Sequence, residues 1–128
     1  MRLLLDTHTF LWAAAEPARI PRRVMTVLQR RTNELHLSAV STWEMAIKRS
    51  LGKLSTDIGI GELIELGRRR MQLQTMDVTT DHALLVETLP WHHKDPFDRL
   101  LVAQALWEDM TVVGADSRFD AYGAKRLW

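Results

Sequence analysis

Residues 3–7 read Leu3-Leu4-Leu5-Asp6-Thr7, and this stretch decides the fold of the chain. A short apolar run without alternation is typical of a strand that is buried on both faces, as strands of parallel sheets are. The acid that ends the run would stand at the carboxyl end of the strand, where open α/β sheets bind their ligands. The segment therefore predicts a parallel sheet and, in Asp6, a functional carboxylate.

Three other acids occupy comparable places in the chain. Glu44 lies in the first turn after an apolar segment, Asp98 opens a long apolar helix, and Asp116 follows another short strand. Carboxylates that are crowded together repel one another and raise one another's pKa, and a divalent ion relieves that repulsion. A site with only oxygen ligands selects Mg²⁺ or Mn²⁺ over softer metals. We therefore expect Asp6, Glu44, Asp98 and Asp116 to form a metal site.

Strands and helices alternate along the chain, which predicts a three-layer α/β/α fold of the α/β class, with a mainly parallel central sheet. The whole of residues 1–128 is expected to form a single domain. We expect Trp43 and Trp107 to lie on buried helix faces. The predicted strands are 2–5, 35–37, 76–78, 111–113 and 126–128, and the predicted helices are 7–15, 21–31, 41–52, 80–88 and 96–108. A further predicted helix follows Gly59 and Gly61 and carries Leu63, Ile64 and Leu66.

Each acid also has an ordinary structural explanation. Ser41 and Glu44 have the spacing of a capping box, and Asp95 before Pro96 is a good helix cap. The helix dipole favours an acid at Asp98, and Asp116 could begin a turn. Asp6, at the end of a buried strand, has the fewest alternatives.

The composition is that of a globular protein, with 46% apolar and 26% charged residues. No cysteine is present, which excludes disulfides, thiolate nucleophiles and zinc–cysteine sites. The chain starts directly in a strand, and no apolar run approaches the ~20 residues that a membrane span needs. We therefore expect a cytoplasmic protein that does not enter a membrane.

The charges are distributed unevenly, although the net charge is only +1. Residues 19–70 carry 11 Lys or Arg and 5 acids, whereas the rest of the chain carries 6 and 11. A basic surface beside an acidic site suits a polyanion whose reacting group meets a metal. We expect the basic span to rim the acidic crevice and to bind RNA.

Four stretches resemble the PIN-domain ribonucleases, and within them the toxins of VapBC-type toxin–antitoxin pairs. The stretches are residues 4–8, 38–48, 93–105 and 113–123. The resemblance places the acidic quartet of the family on Asp6, Glu44, Asp98 and Asp116. It implies a Mg²⁺-dependent endoribonuclease that leaves a 5′-phosphate and a 3′-hydroxyl. It also implies a homodimer that is inhibited by an antitoxin of the Phd/YefM or VapB kind.

Several residues near the motifs have open roles. Thr7, Arg99 and Arg118 are candidate contacts to RNA or phosphate, and both arginines could equally form structural ion pairs. His92 and His93 are expected to belong to a loop. Many relatives have Thr or Ser where this chain has Gly114, so a hydroxyl contact would be missing.

Two other functions remain open at this point. The segment 5–9 faintly resembles the nucleophile motif of haloacid-dehalogenase-like phosphatases, but His8 stands where that motif needs a second Asp. A non-catalytic RNA-binding or interaction module would use the basic span, with the acids serving as helix caps. That module would bind RNA equally well with and without Mg²⁺.

Overall fold

The computed structural model describes residues 1–128, which form five strands and six α-helices. The strands are β1 (Arg2–Leu5), β2 (Glu34–Ser38), β3 (Gln74–Met76), β4 (Thr111–Val113) and β5 (Arg126–Leu127). The helices are α1 (Thr7–Ala15), α2 (Arg22–Leu28), α3 (Ala39–Ser50), α4 (Ile60–Met71), α5 (Thr80–Leu85) and α6 (Pro96–Trp107). Short 3-10 segments lie at Pro17–Arg19, Val86–Thr88 and Ser117–Tyr122.

The five strands form one sheet in the order β3-β2-β1-β4-β5, and every neighbouring pair is parallel. The predicted α/β fold with a parallel sheet is therefore confirmed. Leu5 of β1 is in register with Leu37 of β2 and with Val113 of β4. The segments that follow these three strands consequently leave the sheet at the same side, here called the carboxyl edge. The opposite side is the amino edge.

The sheet is covered on both faces, as its apolar central strand requires. Leu3, Leu4 and Leu5 of β1 are all fully buried. Leu3 and Leu5 belong to a core with Phe10 of α1, whereas Leu4 belongs to a second core with Leu101 of α6. Since successive side chains of a strand point to opposite faces, β1 joins the two cores and fixes the position of the residue after it.

Helix α3 begins earlier than predicted, which changes the side that it buries. Ser38 Oγ accepts a hydrogen bond from Val40 N at 3.1 Å, so Ser38 is the cap and the helix starts at Ala39. The predicted capping box of Ser41 with Glu44 is therefore wrong, and both side chains are buried. Trp43 lies on the outer side of the helix and is 59% exposed, which corrects the expectation that it faces inward.

Smaller differences occur at other helix and strand ends. Trp107 is 54% exposed, because it is the last residue of α6 and extends beyond the buried part of that helix. Helix α2 ends at Leu28 and not at Arg31. Strand β3 covers Gln74–Met76, two residues earlier than predicted. None of the helices is long and apolar enough to cross a membrane.

Candidate metal centre

Asp6 is the first residue after β1 and caps α1. Its Oδ1 accepts a hydrogen bond from Thr9 N at 2.8 Å, and its backbone N donates to Val113 O at 3.0 Å. The residue is 6% exposed, and this burial is the main cause of the raised pKa of its carboxyl group. A buried carboxyl group is thus held at the carboxyl edge, in the middle of the sheet.

Gly114, directly after β4, leaves the space that the Asp6 side chain occupies. A Cβ atom on residue 114 would overlap Asp6 Oδ2 and would lie 2.9 Å from Asp6 Cγ. Any larger residue would therefore displace the carboxyl group. In place of a hydroxyl contact, Gly114 gives the Asp6 carboxyl group the room that it occupies here.

Glu44 lies on the buried side of α3, and both of its carboxylate oxygens have partners. The Thr7 hydroxyl donates to Oε1 at 2.6 Å, and Lys48 Nζ donates to Oε2 at 2.6 Å. Thr7 is only 5% exposed. Its hydroxyl orients a carboxylate inside the protein, which argues against the predicted contact of Thr7 with RNA.

Asp98 lies in the first turn of α6, which Asp95 caps as predicted. Asp95 Oδ1 accepts hydrogen bonds from Phe97 N at 2.8 Å and from Asp98 N at 3.3 Å. Desolvation, followed by the charge of Asp95, raises the pKa of Asp98 to about 7. The charges of Glu44 and Asp6 raise it further, so these three acids are close enough to act on one another.

His93 connects two of the predicted acids, a role that the sequence did not indicate. Its Nε2 lies 2.9 Å from Asp98 Oδ2 and 3.2 Å from Asp116 Oδ2, and the residue is 5% exposed. Its Nδ1 accepts a hydrogen bond from Asp95 N at 3.1 Å. Because a backbone N–H can only donate, Nδ1 carries the lone pair and Nε2 carries the proton. His93 therefore donates a hydrogen bond to Asp116 and places the same N–H beside Asp98.

Asp116 stands at the start of the last 3-10 segment and is paired with Arg118. The Arg118 guanidinium donates to both carboxylate oxygens at 2.8–3.1 Å. These hydrogen bonds are the main reason that the pKa of Asp116 falls to about 2. The Arg118 side chain is 60% exposed, so it could turn from Asp116 towards a phosphate of a bound strand.

Arg99 holds the loop before α6 and is only 3% exposed. Its guanidinium donates to the backbone carbonyls of Val86, Leu89 and Pro90 at 2.8–3.2 Å and is covered by the ring of Trp91. Both terminal nitrogens of the guanidinium are thus engaged inside the protein. The predicted phosphate contact is thus not supported for Arg99, and the guanidinium pairs with carbonyl groups rather than with an acid.

The donor atoms of this cluster fit a hard divalent cation. Asp6, Glu44 and Asp98 offer carboxylate oxygens only, and burial, helped by neighbouring negative charges, raises the pKa of Asp6 and of Asp98. The ligand atoms of these three acids do not all lie within 4.8 Å of one another; the group that meets this distance is His93, Asp98 and Asp116. The proton on His93 Nε2 faces the oxygens of Asp98 and Asp116, however. The acids are therefore the better ligands, and Mg²⁺ or Mn²⁺ is the ion that such oxygens prefer.

Apart from Lys48, which pairs with Glu44, the largest group of basic residues does not rim this crevice, which corrects the expectation from the sequence. This group lines a cavity of about 910 Å³ at the amino edge, here called the arginine groove. Asn33, directly before β2, and Gln72, shortly before β3, also line it and fix its place. Helix α4 ends shortly before β3, so the arginines in its last turn lie at the amino edge. The arginines of the groove are Arg19, Arg22, Arg30, Arg31, Arg69 and Arg70.

Comparisons with known proteins agree with this fold. The family described as PIN domain matches residues 3–125. Ribonuclease VapC22 from Mycobacterium tuberculosis is 27% identical over 121 residues, which are 94% of this chain and 91% of that protein. One similar solved structure is that of VapBC2 from Rickettsia felis bound to a DNA fragment from the promoter. A chain of it superposes with a TM-score of 0.75 at 15% identity, and the match covers 99% of this chain and 98% of that chain. A chain of FitAcB from Neisseria gonorrhoeae gives 0.64 at 18% identity and covers 98% and 96%.

Proposed function

This chain belongs to the PIN domain family, as its motifs predicted, and we propose that it is a divalent-metal-dependent endoribonuclease that acts as a toxin. The observation that carries the proposal is the group of Asp6, Glu44 and Asp98, whose mutual repulsion and burial call for a cation. The name of the relative Ribonuclease VapC22 supports RNA as the substrate. The phosphodiester bond would be cleaved to a 5′-phosphate and a 3′-hydroxyl.

In the proposed site, Asp6, Glu44 and Asp98 hold Mg²⁺ or Mn²⁺ directly or through water, and Asp116 completes the site. When bound, the ion lowers the pKa of water and stabilises negative charge on the phosphate oxygens. The surrounding residues keep the carboxylates in place. Thr7 orients Glu44, and His93 Nε2 donates to Asp116 while lying 2.9 Å from Asp98 Oδ2.

Arg118 is the cation that we assign to the substrate phosphate. Its guanidinium is planar and can bind two oxygens of one phosphate, as it binds two oxygens of Asp116. It lies at the carboxyl edge beside the acids and is exposed. A strand that places its phosphate at the metal would therefore meet a donor that is already oriented towards the site.

We further propose that a cognate antitoxin of the Phd/YefM or VapB kind inhibits the enzyme, which would act as a homodimer. Several solved structures with the same fold are of VapBC or FitAB proteins, and one is a toxin–antitoxin complex from Klebsiella pneumoniae. An Arg or Lys of the antitoxin that reaches Asp6 and Asp98 would displace the metal. Such a pair is strong where both partners are shielded from water.

The decisive experiment compares Asp6→Asn with wild type and with Asp81→Asn, which changes an exposed acid on α5. We expect wild type and Asp81→Asn to cleave RNA in Mg²⁺ or Mn²⁺, and Asp6→Asn to be inactive though folded. Ca²⁺ should bind but support little cleavage, because its looser coordination positions water poorly. EDTA-resistant cleavage, or wild-type activity of Asp6→Asn, would falsify the metal-site assignment.

Toxicity is tested by expression in bacteria at equal protein levels. Wild type should slow growth, whereas Asp6→Asn should not, and the product of the neighbouring antitoxin gene should restore growth. Equal toxicity of both forms would mean that the harm does not come from the proposed chemistry. RNA binding that is indifferent to Mg²⁺, without any cleavage, would instead favour a non-catalytic RNA-binding module.

A further inference from the structure

The arginine groove carries positive charge that the protein itself does not neutralise. Of its six arginines, only Arg19 has a carboxylate partner, an exposed pair with Glu16 at 3.1 Å. No acidic residue lines the cavity. Six guanidinium groups around one cavity repel one another, and an anionic ligand would remove that repulsion.

Buried apolar residues lie beneath the exposed cationic side chains of the groove. Ile20 and Leu28 form part of its floor and are 5% and 4% exposed, since both belong to the core beneath α2. Met25 and Met71 lie beside them and are partly buried against the same core. The cavity therefore combines an apolar floor, on which a base or a ribose can rest, with a cationic rim for phosphates.

The type of cation favours phosphate over an isolated negative charge. All six cationic side chains are arginines, and none is a lysine. The planar guanidinium matches two phosphate oxygens at once, and it stacks on bases more readily than an ammonium group does. We propose that the arginine groove is a second RNA site, which binds the phosphate backbone of the substrate strand away from the carboxylates. This inference rests on the proposed ribonuclease function.

The distance between the arginine groove and the carboxylates determines how long an RNA strand must be to bind at both. The five residues of β2 lie between the groove and the carboxyl edge, and a strand rises about 3.3 Å per residue, so the sites are roughly 15–20 Å apart. A stacked strand advances about 3.4 Å per nucleotide, and at least five or six nucleotides are needed to span that distance. Short RNA would occupy only one site.

The test measures binding of RNA in EDTA, which prevents cleavage, with strands of roughly 4 and roughly 16 nucleotides. The groove variant is Arg30→Ala with Arg70→Ala. The control is Arg49→Ala with Lys53→Ala, which removes the same charge from exposed residues outside the groove. We expect the groove variant to bind the long strand on the order of tenfold more weakly, with a salt slope lower by about 1.4. Its affinity for the short strand should fall as well, because in EDTA the metal-free carboxylates repel RNA and the groove is the site that remains.

The control variant should bind both strands as wild type does, and the Mg²⁺-induced rise in melting temperature should be the same in all three proteins. Equal weakening by the groove and control variants would overturn the proposal, because it would show a general charge effect. So would competition by oligoglutamate as strong as that by RNA of equal charge, which would assign the groove to an acidic protein segment. Wild type that neither binds nor cleaves RNA would refute the ribonuclease function instead.

Discussion

Replacing Asp98 with Asn should stabilise the metal-free protein at high pH. The pKa of Asp98 rises from 3.8 to about 7 on folding, because burial and the neighbouring acids disfavour its charged form. The folded state therefore holds a proton that the unfolded state has lost between these two pH values, and stability falls as the pH rises through that window. Asn keeps an oxygen that can accept from His93 Nε2, but it carries no charge.

The size of the effect follows from the same shift. A change in pKa from 3.8 to about 7 corresponds to about 4 kcal/mol once the pH exceeds both values. Solvent screening of a side chain that is 23% exposed reduces this, so we expect Asp98→Asn to gain about 2–4 kcal/mol at pH 8. For 128 residues this is roughly 7–15 °C in melting temperature.

The assay is thermal unfolding of both proteins in EDTA at pH 4, 6 and 8. The difference should be nearly absent at pH 4 and should grow to its full size by pH 8. Saturating Mg²⁺ should raise the melting temperature of wild type more than that of the variant, since binding to the folded state stabilises by mass action. A variant that melts no higher than wild type at pH 8 in EDTA would refute the repulsion on which the metal site rests.

Three further substitutions test the surroundings of the site. Gly114→Ala should displace Asp6 and lower the free energy of unfolding in urea by about 1–3 kcal/mol. It should also reduce the stabilisation by Mg²⁺, and an unchanged stabilisation would contradict the steric argument. Lys48→Met should lower metal-free stability by about 1–2 kcal/mol and increase the gain from Mg²⁺, because buried Glu44 then lacks a cation; an equal gain would show that lysine and metal do not compete. Arg99→Lys should cost about 2–4 kcal/mol in urea unfolding, because three backbone carbonyls lose their donor, while RNA affinity in EDTA stays unchanged. If Arg99→Lys instead bound RNA more weakly while its free energy of unfolding stayed unchanged, Arg99 would be a phosphate contact after all.

The sequence predicted those parts of the structure that depend on local patterns. The run Leu3-Leu4-Leu5 indicated a buried parallel strand, because no alternation of polar residues is present. Asp95 before Pro96 indicated the start of α6, because both residues have a local reason to stand there. These signals need no knowledge of distant contacts.

Other features depend on contacts between distant segments, and the sequence did not predict them. Ser38 and Ser41 are both suitable caps for α3, and only the packing of the helix selects Ser38. His93 acts on Asp116, 23 residues further along the chain, through a hydrogen bond that no local pattern encodes. The short spacing from His93 to Asp95 could have indicated the hydrogen bond from Asp95 N to His93 Nδ1, which fixes the tautomer. It does not show which acids His93 Nε2 faces, because that depends on the fold.

The basic span illustrates a different limit. Its charge was evident from the sequence, but its place on the molecule depends on the direction of the helices that carry it. Arg69 and Arg70 come at the end of α4, which runs from the carboxyl edge to the amino edge. The uneven charge along the chain predicted a polyanionic partner. The direction of the helices determines on which side of the sheet the basic residues lie.

The order of the strands also has a consequence for synthesis on the ribosome. β1 lies at the centre of the sheet, yet Leu3 pairs with Thr111, so one side of the first strand stays open until β4 has been synthesised. A nascent chain that ends before β4 therefore presents an apolar strand edge, which favours aggregation with other unfinished chains. Asp116 emerges later still, so the acidic cluster is assembled last. The four acids of the proposed ribonuclease site therefore come together only after residue 116 has left the ribosome.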